Sequence, residues 1–479
     1  MSNFKFIISS FLVVFLNQQA AFSQKADSRP NIILIVADDL GWKDQAYMGS
    51  RFYETPNLDK LAGESMLFTN AYTAAANCAP SRACLISGEN TPRHGIYTVG
   101  TSERGDKASR KLIPIKNNET LPDSIFTLSE ALQKAGYQTC SIGKWHIGED
   151  PSTQGFDINI AGTHQGHPPS YFSPYKNESL TDGKPGEYLT DRLTTEALSF
   201  IDNRKKKPFF LYLPYFAVHT PLQAPEHLKE KYKNKHVKGQ ENETYAAMIE
   251  SLDTNVGRIM KKLQEMNLSE NTIVIFTSDN GGIRRISDQA PLRAGKGSYY
   301  EGGIRVPLLV RWPENIKAGS KTDVPVTNLD FYPTILDILS IKKPAKIFDG
   351  ISILPVLKGG KLAERPLYWH FPIYLQAYDP ATDEGRDPVF RTRPGAVIRM
   401  GDWKLHEYYE DSALELYNLK NDPGERNNIA LQHPDMVKKL HNELLRWQKQ
   451  VKAPIPTKAN PDFKPEMHFS IKNIKPGKD

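Results

Sequence analysis

Cysteine is scarce: three residues, Cys78, Cys84 and Cys140, in a chain of 479. So few exclude a small fold framed by disulfides, and an odd number leaves at least one thiol unpaired in an oxidising compartment. Cys84 and Cys140 are open to two readings, bonded to one another or buried singly as small apolar side chains. Long apolar runs are also missing. The one largely apolar stretch, Phe6 to Phe15, is about half the ~20 residues that a membrane-spanning helix needs. Neither a low-complexity tract nor an internal repeat is present, which excludes solenoid and disordered classes. Charge of one sign is not in great excess, with 61 Lys and Arg against 55 Asp and Glu. No basic run carries interleaved aromatics, so nucleic acid is excluded as a partner. The formal net charge of +6 suits a small anionic substrate without demonstrating one.

The N-terminus has an order of its own. Lys5 precedes the apolar stretch, and Ala21-Phe22-Ser23 places small residues at −3 and −1 before Gln24. A basic start, a short apolar run and a small-residue cleavage site predict a secretory signal peptide over 1–23. No cysteine lies near that point to accept a lipid. The expectation is a periplasmic or secreted protein without a membrane span.

Several later segments are continuously apolar over strand length and end in polar or glycine-rich turns: Ile32 to Ala37, Tyr137 to Ile142, Phe209 to Leu213, Ile273 to Phe276 and Val306 to Val310. Continuous rather than alternating hydrophobicity predicts burial on both faces, as in a parallel sheet covered by helices. Helical spacing lies between them, at Leu189 to Ile201 and Tyr245 to Met266. A capping-box signal at Thr127 and Glu130 predicts a further helix that ends at Gly136. The pattern predicts an α/β fold: a doubly wound, mostly parallel sheet flanked by helices, over residues 24–362. From 363 to 479 it changes. Pro394 to Tyr408 and Leu414 to Leu419 read as short antiparallel strands. Pro434 to Gln450 reads as an amphipathic helix with Met436, Leu440, Leu444 and Trp447 on one stripe. A smaller C-terminal α+β domain that completes the substrate pocket is expected there.

Four of the predicted strands run straight into groups suited to chemistry: Asp38-Asp39, Gly143-Lys144-Trp145-His146, His219-Thr220-Pro221 and Asp279-Asn280-Gly281. In open α/β sheets ligands bind outside the carboxyl ends of the strands, so these segments are expected to converge. Asp38, Asp39, Asp279 and Asn280 together offer an all-oxygen set, which suits Ca²⁺, or Mg²⁺, rather than zinc. A single acidic pair after a strand more often caps a turn; two pairs at equivalent places favour a metal. Cys78-Ala79-Pro80-Ser81-Arg82 places Cys78 at the start of a helix, because proline is tolerated in the first turn. The helix dipole and Arg82, one turn on, both favour a thiolate there. The bland alternative, a buried structural cysteine, fits poorly beside an arginine in a proline-marked turn.

This stretch resembles the signature of the type I, formylglycine-dependent sulfatases of the alkaline phosphatase superfamily. It closes on Ser87-Gly88 where the family has Thr-Gly, which keeps the hydroxyl. The other four blocks, together with Gly295-Lys296-Gly297, resemble the remaining family blocks in family order, from residue 31 to about 420. The resemblance implies that a maturation enzyme converts Cys78 to formylglycine, whose hydrate attacks the sulfur of a sulfate ester beside one divalent cation held by Asp38, Asp39, Asp279, Asn280 and residue 78. It implies His219 as the acid for the leaving group and His146 as the base that removes the proton from the second hydroxyl, so that sulfate is expelled from a covalent sulfo-enzyme. Lys144 and Lys296 would hold sulfate oxygens, and Arg82 would orient residue 78. Glycines beside both lysines permit close approach of backbone and ligand. Arg305 reads as a structural ion-pair partner.

For the substrate, a sulfated carbohydrate is expected over a small aryl sulfate. His164, His167 and Tyr171, in a glycine- and proline-rich loop, and His370, at the expected domain junction, are candidate sugar contacts. Histidine and tyrosine also fill domain interfaces. Two rivals remain at this stage: a phosphodiesterase or phosphonate monoester hydrolase of the same superfamily, and a sulfated-glycan-binding protein without catalysis.

Overall fold

The run Asn31–Ala37 is apolar at nearly every position and buried at all of them, and the architecture follows from how its two faces are covered. The computed structural model describes residues 29–204 and 207–471; the expected signal peptide lies outside them. The large sheet has eight strands. In chain order these are β1 (Asn31–Ala37), β2 (Met66–Phe68), β3 (Gln138–Ile142), β4 (Ile158–Ile160), β5 (Phe209–Pro214), β6 (Thr272–Ser278), β7 (Leu308–Arg311) and β8 (Ser320–Thr322). Their spatial order is β4-β3-β5-β1-β6-β7-β2-β8. The first five run parallel, β7 is reversed against both its neighbours, and β8 is parallel to β2.

Successive residues of β1 serve opposite cores, as the two-residue period of a strand requires. Ile33 and Ile35 pack with Leu211, Leu213 and the helices Leu189–Asn203 and Glu243–Glu265. Ile32, Leu34 and Val36 pack with Phe210, Tyr212 and the helices Cys78–Ser87, Leu128–Lys134 and Phe331–Ile338. The capping box forms between Thr127 and Glu130, and Gly136 after that helix takes a left-handed φ of 88°. The apolar run at Val306 to Val310 becomes the reversed strand β7, because continuous hydrophobicity reports burial of both faces and not direction.

The C-terminal sheet is an antiparallel meander of β9 (Leu367–Phe371), β10 (Gly395–Met400), β11 (Trp403–Tyr408) and β12 (Leu414–Asn418). Helix Pro434–Gln450 lays Leu440, Leu444 and Trp447 on Ala396, Ile398, Leu405 and Leu416. All three cysteines are buried free thiols: Cys140 lies within β3 and Cys84 packs with Ala74 and Leu329, so no bond joins them. Among the described residues no helix is long and apolar enough to cross a membrane.

Candidate active site

Strands β3, β5, β1 and β6 lie side by side, and the chemical groups follow their carboxyl ends. Asp38 and Asp39 leave β1, Asp279 and Asn280 leave β6, Lys144 and His146 follow β3, and His219 follows β5. The turns are tight enough to dictate residue type. A side chain on Gly143 would meet the Pro214 carbonyl oxygen at 2.1 Å, and one on Gly281 would meet that of Gly302 at 1.9 Å. Asp39 and His146 take left-handed φ values of 60° and 64°, a region that Asp and His enter more readily than most residues.

The sequence-predicted groups meet. Lys144 Nζ donates to Asp38 Oδ2 at 2.6 Å. Arg82 donates through Nε to Asp279 Oδ2 at 2.9 Å and through Nη1 to the Lys144 carbonyl at 2.7 Å, and its Nη2 forms an ion pair with Asp279 Oδ2 at 2.8 Å. Lys296 Nζ lies 2.8 Å from Asp39 Oδ2 and 2.9 Å from His219 Nε2. Asn280 donates to Asp39 Oδ1 at 2.7 Å, and the Asp39 backbone N–H to Asp279 Oδ1 at 3.2 Å. Cys78 opens the ten-residue helix Cys78–Ser87, which is buried along its whole length with Pro80 in the first turn.

Ligand atoms of Asp38, Asp39, Cys78 and His219 all lie within 4.8 Å of one another, a group that could hold a metal ion. His219 had been read only as an acid. Asp38 Oδ1 and Asn280 Oδ1 are buried with no hydrogen-bond partner. Such oxygens are costly to leave unpaired, and each is of the type that coordinates a hard cation. The carboxyls also crowd one another. Burial and the neighbouring Asp38 push Asp279 up to about 6, against Arg82. Burial raises Asp38 despite Lys144. Asp39 goes the other way: burial would raise it, but Lys296, His219 and Lys144 hold it well below the usual carboxylate range. Carboxyls in a dry, crowded cluster fit a divalent cation.

Burial would raise the Cys78 thiol, but the ammonium groups of Lys144 and Lys296 bring it down to about 6. Burial and Lys296 oppose protonation of His219, yet Asp39 and Asp38 prevail and raise it. His219 Nδ1, 2.7 Å from the Thr220 carbonyl oxygen, donates to it and leaves Nε2 facing the cluster. His146 is pushed well below its ordinary value by burial, with Lys144 and Arg82 adding to the effect.

The candidate sugar contacts divide. His167 is exposed, with its ring parallel to that of His219 within 8° and the centroids 6.1 Å apart. Gly166 of the same loop lies against the His146 ring, leaving no room for a side chain. His164 is exposed and pairs with Glu149 at 2.8 Å. Tyr171 and His370 are corrections. Tyr171 is fully buried, its hydroxyl 2.6 Å from the Phe216 carbonyl oxygen and 2.8 Å from that of His219, so it supports the His219 turn from behind. His370 is buried in β9, held between the Tyr409 hydroxyl and the Pro454 carbonyl, both at 3.0 Å. β9 does lie at the junction, where Trp369 and Phe371 pack on Tyr72, Tyr97 and Tyr299, but the strand is covered there and the partners of His370 are internal. Arg391 and Thr392, which bond the backbone at Lys296 and Gly297, were missed. No motif marks them, and only the fold brings them near.

Residues 30–341 match the family model described as Sulfatase, and residues 295–450 match that for the C-terminal region of N-sulphoglucosamine sulphohydrolase. A protein named sulfatase from Formosa agariphila is 34% identical over 94% of this chain and 94% of its own. N-acetylgalactosamine-6-sulfatase of Mus musculus is 32% identical over 93% of this chain and 90% of its own. Among solved structures, Ps i-CgsB in complex with k-i-k-neocarrahexaose superposes with a TM-score of 0.74 at 31% identity, covering 90% of this chain and 94% of that one. The chain belongs to the sulfatase family, within the alkaline phosphatase superfamily. It is a hydrolase of sulfate esters.

Proposed function

We propose that this sulfatase removes sulfate from a sulfated carbohydrate in the periplasm or outside the cell, with residue 78 as nucleophile after a maturation enzyme converts Cys78 to formylglycine. The observation that carries this reading is the meeting of Cys78 with Asp38, Asp39 and His219 within 4.8 Å, between two lysines. The carbohydrate follows from the relatives, whose names specify a sulfated amino sugar in one case and an oligosaccharide ligand in another. Asp38, Asp39, Asp279, Asn280 and residue 78 would hold one divalent cation, calcium in preference to magnesium. Bound there, it supplies Lewis acidity toward an oxygen on residue 78.

The chain's own groups account for the rest. Lys144 and Lys296 each contact an acid and, with three donors apiece, retain hydrogens for sulfate oxygens. As the bond from the deprotonated residue-78 oxygen to sulfur forms and the sulfur–sugar oxygen bond breaks, His219 Nε2 delivers its proton to the departing sugar oxygen. His146, kept neutral by its surroundings, then takes the proton from the remaining hydroxyl of residue 78. The carbon–oxygen bond to sulfate breaks, the aldehyde returns, and one water adds to it to restore the hydrate. Arg82, spanning Asp279 and the Lys144 carbonyl, fixes the frame. His167, and His164 beside it, stand at the mouth where a sugar would lie, and residues 363–479 act as a unit that closes the pocket.

Matched sulfate monoester and phosphate diester substrates test the reading. Faster sulfate cleavage, lost in Cys78→Ala, is expected. Faster phosphate cleavage would move the protein to the diesterase branch of the superfamily, and tight glycan binding without any turnover would make it a binding protein.

A further inference from the structure

Lys296 stands on a loop that the catalytic sheet alone does not hold. On its N-terminal side the Lys296 backbone N–H bonds the Gly282 carbonyl at 2.9 Å. The Gly297 N–H bonds the Ala76 carbonyl at 2.8 Å, and the ties to the carbonyls of this loop come from the C-terminal part of the chain. Arg391 Nη1 donates to the Lys296 carbonyl at 3.0 Å, and Thr392 Oγ1 donates to the Gly297 carbonyl at 2.7 Å. Arg391 is itself fixed by a bond from Nε to the Gln376 carbonyl at 2.9 Å and by packing over the Tyr378 ring at 3.2 Å.

Just beyond this loop, the one-turn helix Glu301–Ile304 is locked into a fully buried polar cluster. Lys404 Nζ on β11 lies 2.9 Å from Glu301 Oε1 and 3.0 Å from Glu425 Oε1. Glu425 Oε2 accepts the Glu301 backbone N–H at 2.6 Å, and its Oε1 lies 2.8 Å from His406 Nε2. Tyr72 donates to Glu301 Oε2 at 2.7 Å and is itself held by Arg399 on β10. The same turn meets the other side of the site, since the Gly281 N–H bonds the Gly303 carbonyl at 3.0 Å directly after Asn280.

We propose that the C-terminal sheet and the two-stranded ribbon of Leu375–Gln376 and Phe390–Thr392 are a positioning device for Lys296, with Thr392 and Arg391 fixing its loop and the Lys404–Glu301–Glu425 cluster fixing the turn that follows. Buried charges of this kind are costly to assemble, and hydrophobic replacements of the same volume often stabilise a fold as well. What the polar cluster adds is direction. Each contact fixes a backbone atom or carboxylate in one orientation, and a displacement of about 1 Å at a group that must meet a developing charge can cost about a hundredfold in rate. Thr392, Arg391, Lys404 and Glu425 are positioning residues; none touches the reacting atoms. This inference rests on Lys296 acting at the sulfate group.

A double-mutant cycle tests it. Thr392→Val removes one hydroxyl at nearly constant volume and is expected to lower kcat/KM for a sulfated sugar about tenfold, within the range for a displaced catalytic group. Thr392→Ser, which keeps the donor, should restore it. The loss should vanish in a Lys296→Ala background and persist in full in Lys144→Ala. Equal losses in both backgrounds, or none in either, would overturn the proposal. Lys404→Met makes the same test at the cluster, and Thr392→Val keeps it decisive should Lys404→Met fail to fold. The cycle can also be read from the affinity for inorganic sulfate, which needs no turnover. Matured wild-type protein that bound sulfate but released none would defeat the functional reading, while the binding cycle would still judge the device.

Discussion

The two ends of the site are built differently. At the proposed sulfate end Asp38, Asp279, Arg82 and Lys144 are almost entirely closed to solvent and pair with one another through contacts of 2.6–2.9 Å, with Asp38 Oδ1 left open. At the proposed sugar end His164 and His167 are exposed, on a loop whose buried tyrosine faces backwards. The sulfate end therefore tolerates almost no change, because each charge balances another in a dry environment. The sugar end can vary with little cost to the fold. A rigid centre with an adjustable mouth is what a family needs to keep one reaction and change its substrate.

Breaking the rigid end should have the largest effect. Cys78→Ala is expected to lower sulfate release by roughly 10⁴-fold or more, the scale of losing a nucleophile, as read by free-sulfate assay on matured protein; retention of a tenth of the activity would contradict the reading. Lys296→Ala and Lys144→Ala should each cost about 10²–10³ in kcat, as for removal of one group that stabilises developing charge. Both should also lose stability. Lys144 is buried against Asp38 and Lys296 against Asp39, so each loss strands a buried carboxyl and should cost about 3–5 kcal/mol in denaturant melts.

Probing the mouth should sharpen the contrast. His167→Ala is expected to raise KM for the sugar about tenfold, with kcat within about threefold and stability within about 0.5 kcal/mol of wild type. His370→Ala should do the reverse, leaving KM unchanged and costing about 1–3 kcal/mol through unpaired buried groups. An effect of His370→Ala on KM alone would return it to the sugar site.

The effect furthest from catalysis concerns acid sensitivity away from the site. Burial pushes His94 down to about 3 and His370 down to about 4. Both stay neutral in the folded protein while the unfolded chain binds protons below about 6.5. Their contribution to stability is therefore complete above that pH and declines as pH falls from about 6.5 toward 4, by up to about 1.4 kcal/mol per unit for each histidine. Denaturant melts across this window should show a shallower slope for His370→Gln than for wild type.

The same contrast governs what the sequence revealed. Asp38, Lys144 and Asp279 each follow a strand whose continuous hydrophobicity marks it, and the parallel order of β3, β5, β1 and β6 carries them to one edge. Cys78 announces itself through Pro80 and Arg82. Strands of two or three residues, such as β2, β4 and β8, were invisible because they carry too few positions for a period to register. His370 reads as a sugar contact and lies buried in β9, because a histidine among aromatics reads the same in a pocket and in a covered strand. Thr392 and Lys404 bear on Lys296 only through the fold, and nothing local foretold it. Arg305, read as structural, does pair with Glu301, at 3.6 Å.

The most direct trial of the central claim is to measure sulfate release against the fraction of residue 78 present as formylglycine, quantified by peptide mass spectrometry in preparations made with graded amounts of the maturation enzyme. Release should rise in proportion to that fraction and extrapolate to zero where the residue remains cysteine. Equal release from converted and unconverted protein would contradict it.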